Sequence, residues 1–306
     1  MSREGLRAGG GMKVAAILLD TARELAYRKT LIVYFGIVTL TLLVLLLALQ
    51  TDVADGVITG ISLFGLEGQA SPHGFAFGTG ATQNMGMDAE TLVRAMQIAM
   101  TWTLYPVGVM LAVFATASLV PHMLEKGTID LLLSKPVSRP VLFASRYLGA
   151  LLVAGANLLY FVGGVGVILA FKTGVWNGGF FLAGLLMTVY FGALLAFLVL
   201  VGTLLRSTTI GIMAAAAVYF VSLIIAFPHA NADWPNLLTS KVARFGTQAV
   251  VEVLYHALPR TYELGSMVTS LVLDKPVVSW MPVVWTLVSG AGALALAIVH
   301  FRRTDF

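Results

Sequence analysis

The chain has 306 residues, of which 58% are hydrophobic and 11% are charged. Soluble domains carry about 25% charged residues, so 19 Lys and Arg with 15 Asp and Glu cannot cover the surface of a soluble protein of this length. The composition therefore excludes a soluble enzyme and a disordered chain, and it indicates a polytopic integral membrane protein. The lack of cysteine in the sequence excludes disulfides and thiolate metal sites.

Six uncharged stretches are long enough to cross a bilayer as helices, because about 20 residues at ~1.5 Å each span the ~30 Å hydrocarbon layer. They are residues 30–49, 98–120, 147–171, 179–205, 209–227 and 281–300. We therefore predict a single all-α transmembrane domain over residues 1–306, with six transmembrane helices. Only Arg206, Ser207 and Thr208 separate the fourth and fifth spans, which predicts a tight helical hairpin.

The basic residues are distributed unequally between the two sides of these spans. If both termini are cytoplasmic, the inner side holds 13 of the 19 basic residues and six acidic ones, and the outer side holds six basic and nine acidic residues. Lys and Arg are enriched in cytoplasmic loops, so the distribution favours both termini inside. It also explains the basic pI of about 9.4 without a nucleic-acid partner.

The segments between the spans differ in character. Residues 1–29 form a cytoplasmic leader, whose apolar positions from Val14 to Leu25 predict an interfacial helix or a simple topology anchor. Two segments lie outside: a glycine-rich loop with a possible short hairpin, and a segment that is helical over about 236–257 and 261–273 around Pro259. These outer segments are residues 50–97 and 228–280, and the largest inner loop is residues 121–146.

The predicted spans contain no Asp, Glu, Lys or Arg. Ion-coupled transporters use ionisable groups or unwound polar backbone within the membrane, and the sequence has no HExxH, GxSxG or Walker phosphate-loop motif. The chain is therefore predicted not to be an enzyme. His73, His229, His256 and the pair Met85 and Met87 have no metal-ligand spacing, so we predict no metal site.

Small residues cluster in the last two spans. They are Gly211 and 214–217 in the fifth, and Ser289, Gly290, Gly292, Ala293, Ala295 and Ala297 in the sixth. Small residues allow helix backbones to approach closely in lipid. The pattern favours packing within the chain, and the alternative is a dimer face or a pathway wall.

The inner loop contains a pattern for a short helix between the second and third spans. Thr128 is a suitable N-cap and Asp130 lies in the first turn, and Pro136 ends the helix because the residue before proline disfavours the α region. Ser138 can then cap the next helix. The result is a helix of about seven residues, roughly 10 Å long, which suits either insertion into a groove on a soluble partner or an interfacial position.

The run from Glu125 to Arg139, EKGTIDLLLSKPVSR, resembles the cytoplasmic loop of type-2 ABC exporter permeases. Three further segments are similar to parts of that family: residues 22–25 to its interfacial entry helix, residues 254–264 to its proline-containing segment before the sixth span, and residues 301–306 to its inner tail. The resemblance extends over the whole predicted topology.

The resemblance implies a permease subunit of the bacterial inner membrane that pairs with a second permease, as a homodimer or heterodimer, and with two copies of a cytoplasmic ATP-binding subunit. ATP would be bound by that partner, and this chain would need no cofactor. Residues 128–134 would form the coupling helix seated on the ATPase. Its implied contact residues are Glu125, Lys126, Gly127, Thr128, Ile129, Leu132, Leu133, Pro136 and Arg139.

Two outputs are consistent with this resemblance. The first is export of a substrate, for which the apolar spans favour a lipid or another hydrophobic compound. The second is transmission of force to an extracytoplasmic protein, or support of its assembly, with residues 50–97 and 228–280 as a docking platform.

Overall fold

The computed structural model describes residues 29–54, 57–63, 66–71, 74–77, 87–117, 138–230 and 241–303. Within these ranges the chain forms eight helices and five strands. The helices are α1 (Lys29–Ala48), α2 (Ala89–Thr116), α3 (Arg139–Thr173), α4 (Gly178–Leu204), α5 (Thr208–Ala230), α6 (Lys241–Ala257), α7 (Thr261–Val272) and α8 (Met281–Arg303). The strands are β1 (Leu49–Ala54), β2 (Val57–Leu63), β3 (Leu66–Ser71), β4 (Gly74–Phe77) and β5 (Met87–Asp88).

Five helices are long and apolar enough to cross a membrane, namely α1, α3, α4, α5 and α8. A sixth span is obtained if the two halves of α2 count as one, since Val93–Thr103 and Tyr105–Thr116 meet at a bend of 43°. Pro106 lies just after the bend, and proline bends a helix because its ring displaces the preceding turn and it cannot donate to the i−4 carbonyl. The chain is thus a multi-pass membrane protein.

The all-α prediction holds for the bundle but not for residues 49–88, which contain the strands. β1 and β2 pair antiparallel from Leu49 with Leu63 to Ala54 with Val57, with a register shift between Asp52 and Val53. The sheet continues through β3 and β4, and β5 also pairs with β2. The sequence of β2, VITGISL, is rich in β-branched residues, which favour strands. The hairpin indicated in the sequence is therefore part of a larger sheet.

Helix α4 lies at the centre of the bundle and packs against α2, α3, α5, α7 and α8. Over an 18-residue apolar stretch of α4, 67% of the residues are buried, compared with 28–39% in the corresponding 18-residue stretches of the other four spanning helices. A helix that is apolar around its whole circumference is compatible with a buried position. Helix α1 packs against α3 where the Leu42 side chain lies over Gly164. Its other side exposes Ile32, Val33 and Phe35.

The small residues of α5 and α8 make contacts within the chain. A Cβ at Gly290 would lie 3.0 Å from the Ala193 Cα atom of α4, and a Cβ at Gly211 would lie 3.0 Å from the Leu198 carbonyl oxygen. Gly292 is different, because no atom lies within 4 Å of a Cβ built there. Of the two interpretations, packing within the chain therefore accounts for Gly211 and Gly290.

The bundle has two distinct ends. The end that we call the sheet end carries β1, the start of α2 and the connection between α3 and α4, where Gly174 has φ +73°. The opposite end, the hairpin end, carries the start of α3 and the turn between α4 and α5. In that turn Arg206 has φ +49° and the Ser207 N–H donates to the Gly202 carbonyl at 3.2 Å. The predicted tight hairpin is present here.

Helix boundaries near the inner and outer segments can be compared with the sequence predictions. Ser138 occupies the N-cap of α3 in an extended conformation, but its side chain makes no capping hydrogen bond. The outer helices α6 and α7 fall within the ranges predicted to be helical, about 236–257 and 261–273. The predicted interfacial helix, apart from its last residue Lys29, lies outside the described residues.

Candidate functional site: a cavity between helices α2, α5 and α7

A cavity of about 440 Å³ lies between α2, α5 and α7. The bent part of α2 supplies one wall, with Thr101, Trp102, Tyr105 and Pro106. Because Pro106 has no N–H, the Trp102 carbonyl lacks its usual helical donor. The bend of α2 therefore both shapes this wall and leaves a backbone acceptor beside it.

The other two walls come from α5 and α7. Helix α5 contributes Tyr219 and Leu223. Helix α7 contributes Thr261, Tyr262, Gly265, Ser266 and Thr269. The opposite face of α7 is apolar and buried, with Leu264, Val268 and Val272 in the core. This amphipathic pattern fixes α7 on the bundle with its hydroxyl-bearing residues toward the cavity.

Three tyrosines connect the cavity to the core of the bundle. The rings of Tyr105 and Tyr190 stack with centroids 5.2 Å apart, and Tyr219 meets Tyr190 edge to face at 6.3 Å. The Tyr105 hydroxyl donates to the Thr261 carbonyl at 3.2 Å, and the Tyr190 hydroxyl lies 2.7 Å from Thr261 Oγ1. Buried tyrosines normally pair their hydroxyls in this way. These bonds hold α2, α4 and α7 together around the cavity.

The lining of the cavity is uncharged. It contains aromatic rings, aliphatic groups and hydroxyls, and none of the lining residues is Asp, Glu, Lys, Arg or His. Ligand pockets are typically apolar with a few polar groups that fix orientation, and have volumes of roughly 300–1,000 Å³. The cavity has these properties, and it offers neither a charged partner for an ionic ligand nor a catalytic acid or base.

Two aromatic rings and a carboxylate surround Arg260 at the junction of α6 and α7, next to the cavity. The Arg260 guanidinium stacks 4.4 Å from the centroid of the Tyr255 ring and donates to Glu263 Oε2 at 3.2 Å. Trp285 of α8 lies on another side of Arg260 at 5.4 Å. Such cation–π contacts stabilise a partly desolvated guanidinium, and here they attach the α6–α7 corner to α8.

Tyr255 completes this cluster by donating its hydroxyl to Glu263. Burial raises the pKa of Tyr255 well above its usual value of 10, and the hydrogen bond to Glu263 and the charge of that carboxylate raise it further. Tyr255 therefore keeps its proton at physiological pH and remains a donor.

A second polar cluster closes the sheet end of the bundle. The Asn177 side-chain amide donates to Gln97 Oε1 at 2.7 Å and to the Val272 carbonyl at 2.8 Å, and its Oδ1 accepts from the Gly179 N–H at 3.0 Å. Arg94 bonds Glu90 and the Leu273 carbonyl. These bonds attach the end of α7 to α2 and to the start of α4, and so set the position of the cavity wall.

The structure places only one of the predicted coupling residues. Arg139 is the first residue of α3, at the hairpin end of the bundle. The others, Glu125, Lys126, Gly127, Thr128, Ile129, Leu132, Leu133 and Pro136, lie outside the described residues. His73 and Met85 also lie outside them, and the described part of the chain contains no group of three His, Cys, Asp or Glu residues that could hold a metal ion.

The cavity itself was not predicted from the sequence. Its residues from α2 lie more than 100 positions before those from α5 and α7, and no spacing pattern connects Tyr105 with Tyr219 or Thr261. One local signal was present, because Pro106 lies inside an otherwise apolar span and proline in a spanning helix predicts a bend. The similarity of residues 254–264 to a family segment also drew attention to the corner that contains Thr261.

The fold and the site together define a class. Up to six apolar helices form a bundle around a cavity with an uncharged lining, and together they define a multi-pass membrane protein. A family comparison makes this specific, since the model for the ABC-2 family transporter protein matches residues 16–306. The chain belongs to that family.

Members of the family are the membrane components of ABC transporters and are not themselves the ATPases. The chain is therefore an ABC transporter permease that works with an ABC ATPase subunit, as the inner-loop resemblance implied. No curated protein matches the chain.

Proposed function

We propose that the chain is the permease subunit of an ATP-driven exporter and that residues 125–139 transmit the movement of the ATPase. The family match over residues 16–306 is the observation that carries the proposal. The arrangement of the helices supports it. Hydrogen bonds of Arg94 and Gln97 attach the start of α2 to the sheet end. Helix α2 therefore ends at the hairpin end, where α3 begins at Arg139. The loop 118–137 thus joins two long helices at one end of the bundle.

The coupling helix, residues 128–134, is proposed to sit in a groove of the ATPase. Ile129, Leu132 and Leu133 would supply its apolar contacts. Glu125, Lys126 and Arg139 would supply polar contacts, and Gly127, Thr128 and Pro136 would set its ends. Because the predicted spans carry no Asp, Glu, Lys or Arg, we propose that the energy for transport arrives from outside the membrane, and a segment that joins α2 to α3 suits that purpose.

In the complete transporter, two permease subunits are proposed to pair with two ATP-binding subunits in a bacterial inner membrane, with both termini cytoplasmic. The excess of Lys and Arg in the segments on the predicted inner side of the spans supports this orientation. Helices α1 and α8 expose large apolar side chains, which lipid or the second permease subunit would cover.

The double substitution of Ile129 and Leu132 by Asp tests the coupling proposal. Two buried carboxylates at the joint would cost several kcal/mol in desolvation, so we expect the permease to insert normally but to lose its stimulation of the ATPase. The measurement is ATP hydrolysis by the reconstituted complex, with membrane insertion checked by fractionation.

Val278→Asp serves as the matched control, because Val278 is fully exposed in the α7–α8 connection and should tolerate a charge. Wild-type ATPase stimulation in the double variant would overturn the assignment of residues 125–139, while leaving membership of the family intact.

The sheet of residues 49–88 favours a second candidate, a permease that transmits force to an extracytoplasmic protein without moving a substrate. A sheet outside the membrane offers strand edges to a partner. Deleting residues 55–86 distinguishes the two outputs. Exporter function predicts that substrate-stimulated ATPase activity in liposomes survives the deletion, whereas force transmission predicts that no substrate stimulates the ATPase in either form.

A further inference from the structure

Helix α8 exposes one side along its whole length. Its exposed residues recur at spacings of three and four from Met281 onward, so they lie on a single face of the helix. The large apolar members of this face are 43–61% exposed, and they are Val284, Leu287, Val288, Leu296 and Val299. The opposite side of α8 packs against α3 and α4. The exposed side is therefore the one that meets the surroundings of the bundle.

Two arginines continue this exposed face at the hairpin end. Arg302 and Arg303 follow Val299 by three and four residues, which is about one helical turn, and both are exposed. Phe301, which precedes them, is buried, and its ring packs on that of Phe143 in α3 with centroids 5.1 Å apart. This contact fixes the last turn of α8 and holds the two arginines on the exposed side.

The two arginines lack an acidic partner among the residues that the structure describes. Within those ranges neither has a hydrogen bond or an ion pair, whereas Arg94 and Arg260 each pair with a glutamate. In the sequence that follows them, Asp305 is the single acidic residue before position 306. This end of α8 therefore carries an excess of positive charge.

The charge of this face favours lipid over a second copy of the chain as its cover. In a symmetric pair whose axis runs along the membrane normal, the same residues of both copies lie at the same depth. Pairing through the exposed face of α8 would bring four arginines together, and like charges at close range repel. A phospholipid with an anionic headgroup has acyl chains for the apolar part of the face and negative charge for its end.

We propose that the end of α8 is a binding site for an anionic phospholipid. The guanidinium groups of Arg302 and Arg303 bind its phosphate, for which the planar fork of arginine is well suited, and an acyl chain lies against Leu296 and Val299. The other end of α8 is preceded by the exposed Trp280 rather than by a cation, so the site belongs to one leaflet. It requires neither a substrate nor the ATPase, and it goes beyond the proposed transport function.

Native mass spectrometry of the purified full-length chain in detergent tests the proposal. The chain is titrated with phosphatidylglycerol and, separately, with phosphatidylcholine that has the same acyl chains. We expect the first molecule of phosphatidylglycerol to bind at least tenfold more tightly than phosphatidylcholine. Water-soluble glycerol phosphate should compete at least a hundredfold more weakly, because it lacks the acyl chains. Equal affinities for the two phospholipids would overturn the proposal.

Substitutions to glutamine locate the site. Arg302→Gln and Arg303→Gln should each weaken phosphatidylglycerol binding by about fivefold, and together by about 25-fold, without changing phosphatidylcholine binding. The matched control is Lys275→Gln, which removes an exposed cation from the α7–α8 connection and should bind phosphatidylglycerol like the wild type. An unchanged affinity in the double glutamine variant would contradict the proposal.

A charge-preserving variant separates loss of the site from loss of folding. Arg302→Lys combined with Arg303→Lys should bind phosphatidylglycerol within about threefold of the wild type, because charge supplies most of the attraction. Thermal unfolding in phosphatidylcholine should be the same for both double variants and the wild type. The same mass spectra report the oligomeric state. A new dimer in the double glutamine variant, with unchanged phosphatidylglycerol affinity, would assign the face to a second copy and overturn the proposal.

Discussion

At the scale of single residues, the half-buried Asn177 and the buried Asn157 differ in how their side-chain amides are paired. Asn177 makes three hydrogen bonds that join α2, α4 and α7. Asn157 is 5% exposed in α3, and neither its Oδ1 nor its Nδ2 has a partner within the described part of the chain. An amide without partners is costly in an apolar interior, so the two residues should respond in opposite directions to the same substitution.

We expect Asn157→Leu to stabilise the protein by about 1–3 kcal/mol, because it removes an unpaired buried amide and keeps a similar volume. Asn177→Leu should destabilise the protein by a similar amount, since it leaves the Gln97 side chain and the Val272 carbonyl without their donor. Thermal unfolding in detergent, followed by tryptophan fluorescence, measures both. A lower midpoint for Asn157→Leu would mean that this amide has a partner in the folded protein.

At the scale of secondary structure, the close contacts between helices come from glycine and alanine. In lipid there is little hydrophobic driving force between helices, and association depends on close packing. Gly290 of α8 meets the backbone of α4 at Ala193, whereas Gly292, two residues later, faces open space. The two positions therefore form a natural pair for testing the α4–α8 contact.

Gly290→Val should destabilise the protein by about 1–3 kcal/mol, because a Cβ at 3.0 Å from a backbone Cα atom forces α4 and α8 apart. Gly292→Val should change stability by no more than about 0.5 kcal/mol. Recovery of monodisperse protein after heating, measured by size-exclusion chromatography, compares the two. If both variants lose stability equally, the exposed face of α8 is packed against a further subunit.

The helices were easier to predict than the strands or the packing order. Long uncharged runs identify spanning helices because the bilayer requires about 20 apolar residues. The sequence predicts residues 50–97 as a glycine-rich loop with a possible short hairpin, because short strands with glycine between them give weak signals. The central position of α4 was also not predictable, because its apolar composition resembles that of α1, which faces outward along most of its length.

At the scale of the whole molecule, the sequence predicted the class of protein but not its cavity. Composition and the uncharged spans were sufficient for a polytopic membrane protein, and the permease prediction came from the inner-loop resemblance, which agrees with the family that matches residues 16–306. The cavity depends on contacts between Tyr105, Tyr190 and Thr261, which are far apart in sequence. Only the packing of α2, α4 and α7 brings these three residues together.

The orientation of the bundle can be tested with a matched pair of variants, since the chain has no cysteine of its own. Ser207→Cys lies in the α4–α5 turn, and Ser279→Cys lies in the α7–α8 connection at the other end. With the termini cytoplasmic, a membrane-impermeant maleimide should label Ser279→Cys in intact cells and Ser207→Cys only after permeabilisation. The reverse pattern would invert the proposed topology.

The length of α3 has a mechanical consequence. Its 35 residues form a rod of about 52 Å, well beyond the ~30 Å of hydrocarbon, and residues 139–146 precede the predicted span. A rigid rod of this length that tilts by about 10° about one end displaces the other by roughly 9 Å. Because α3 begins at Arg139, the last residue of the proposed coupling segment 125–139, α3 can act as a lever that converts a modest rotation within the bilayer into a large displacement of its tip, or the reverse.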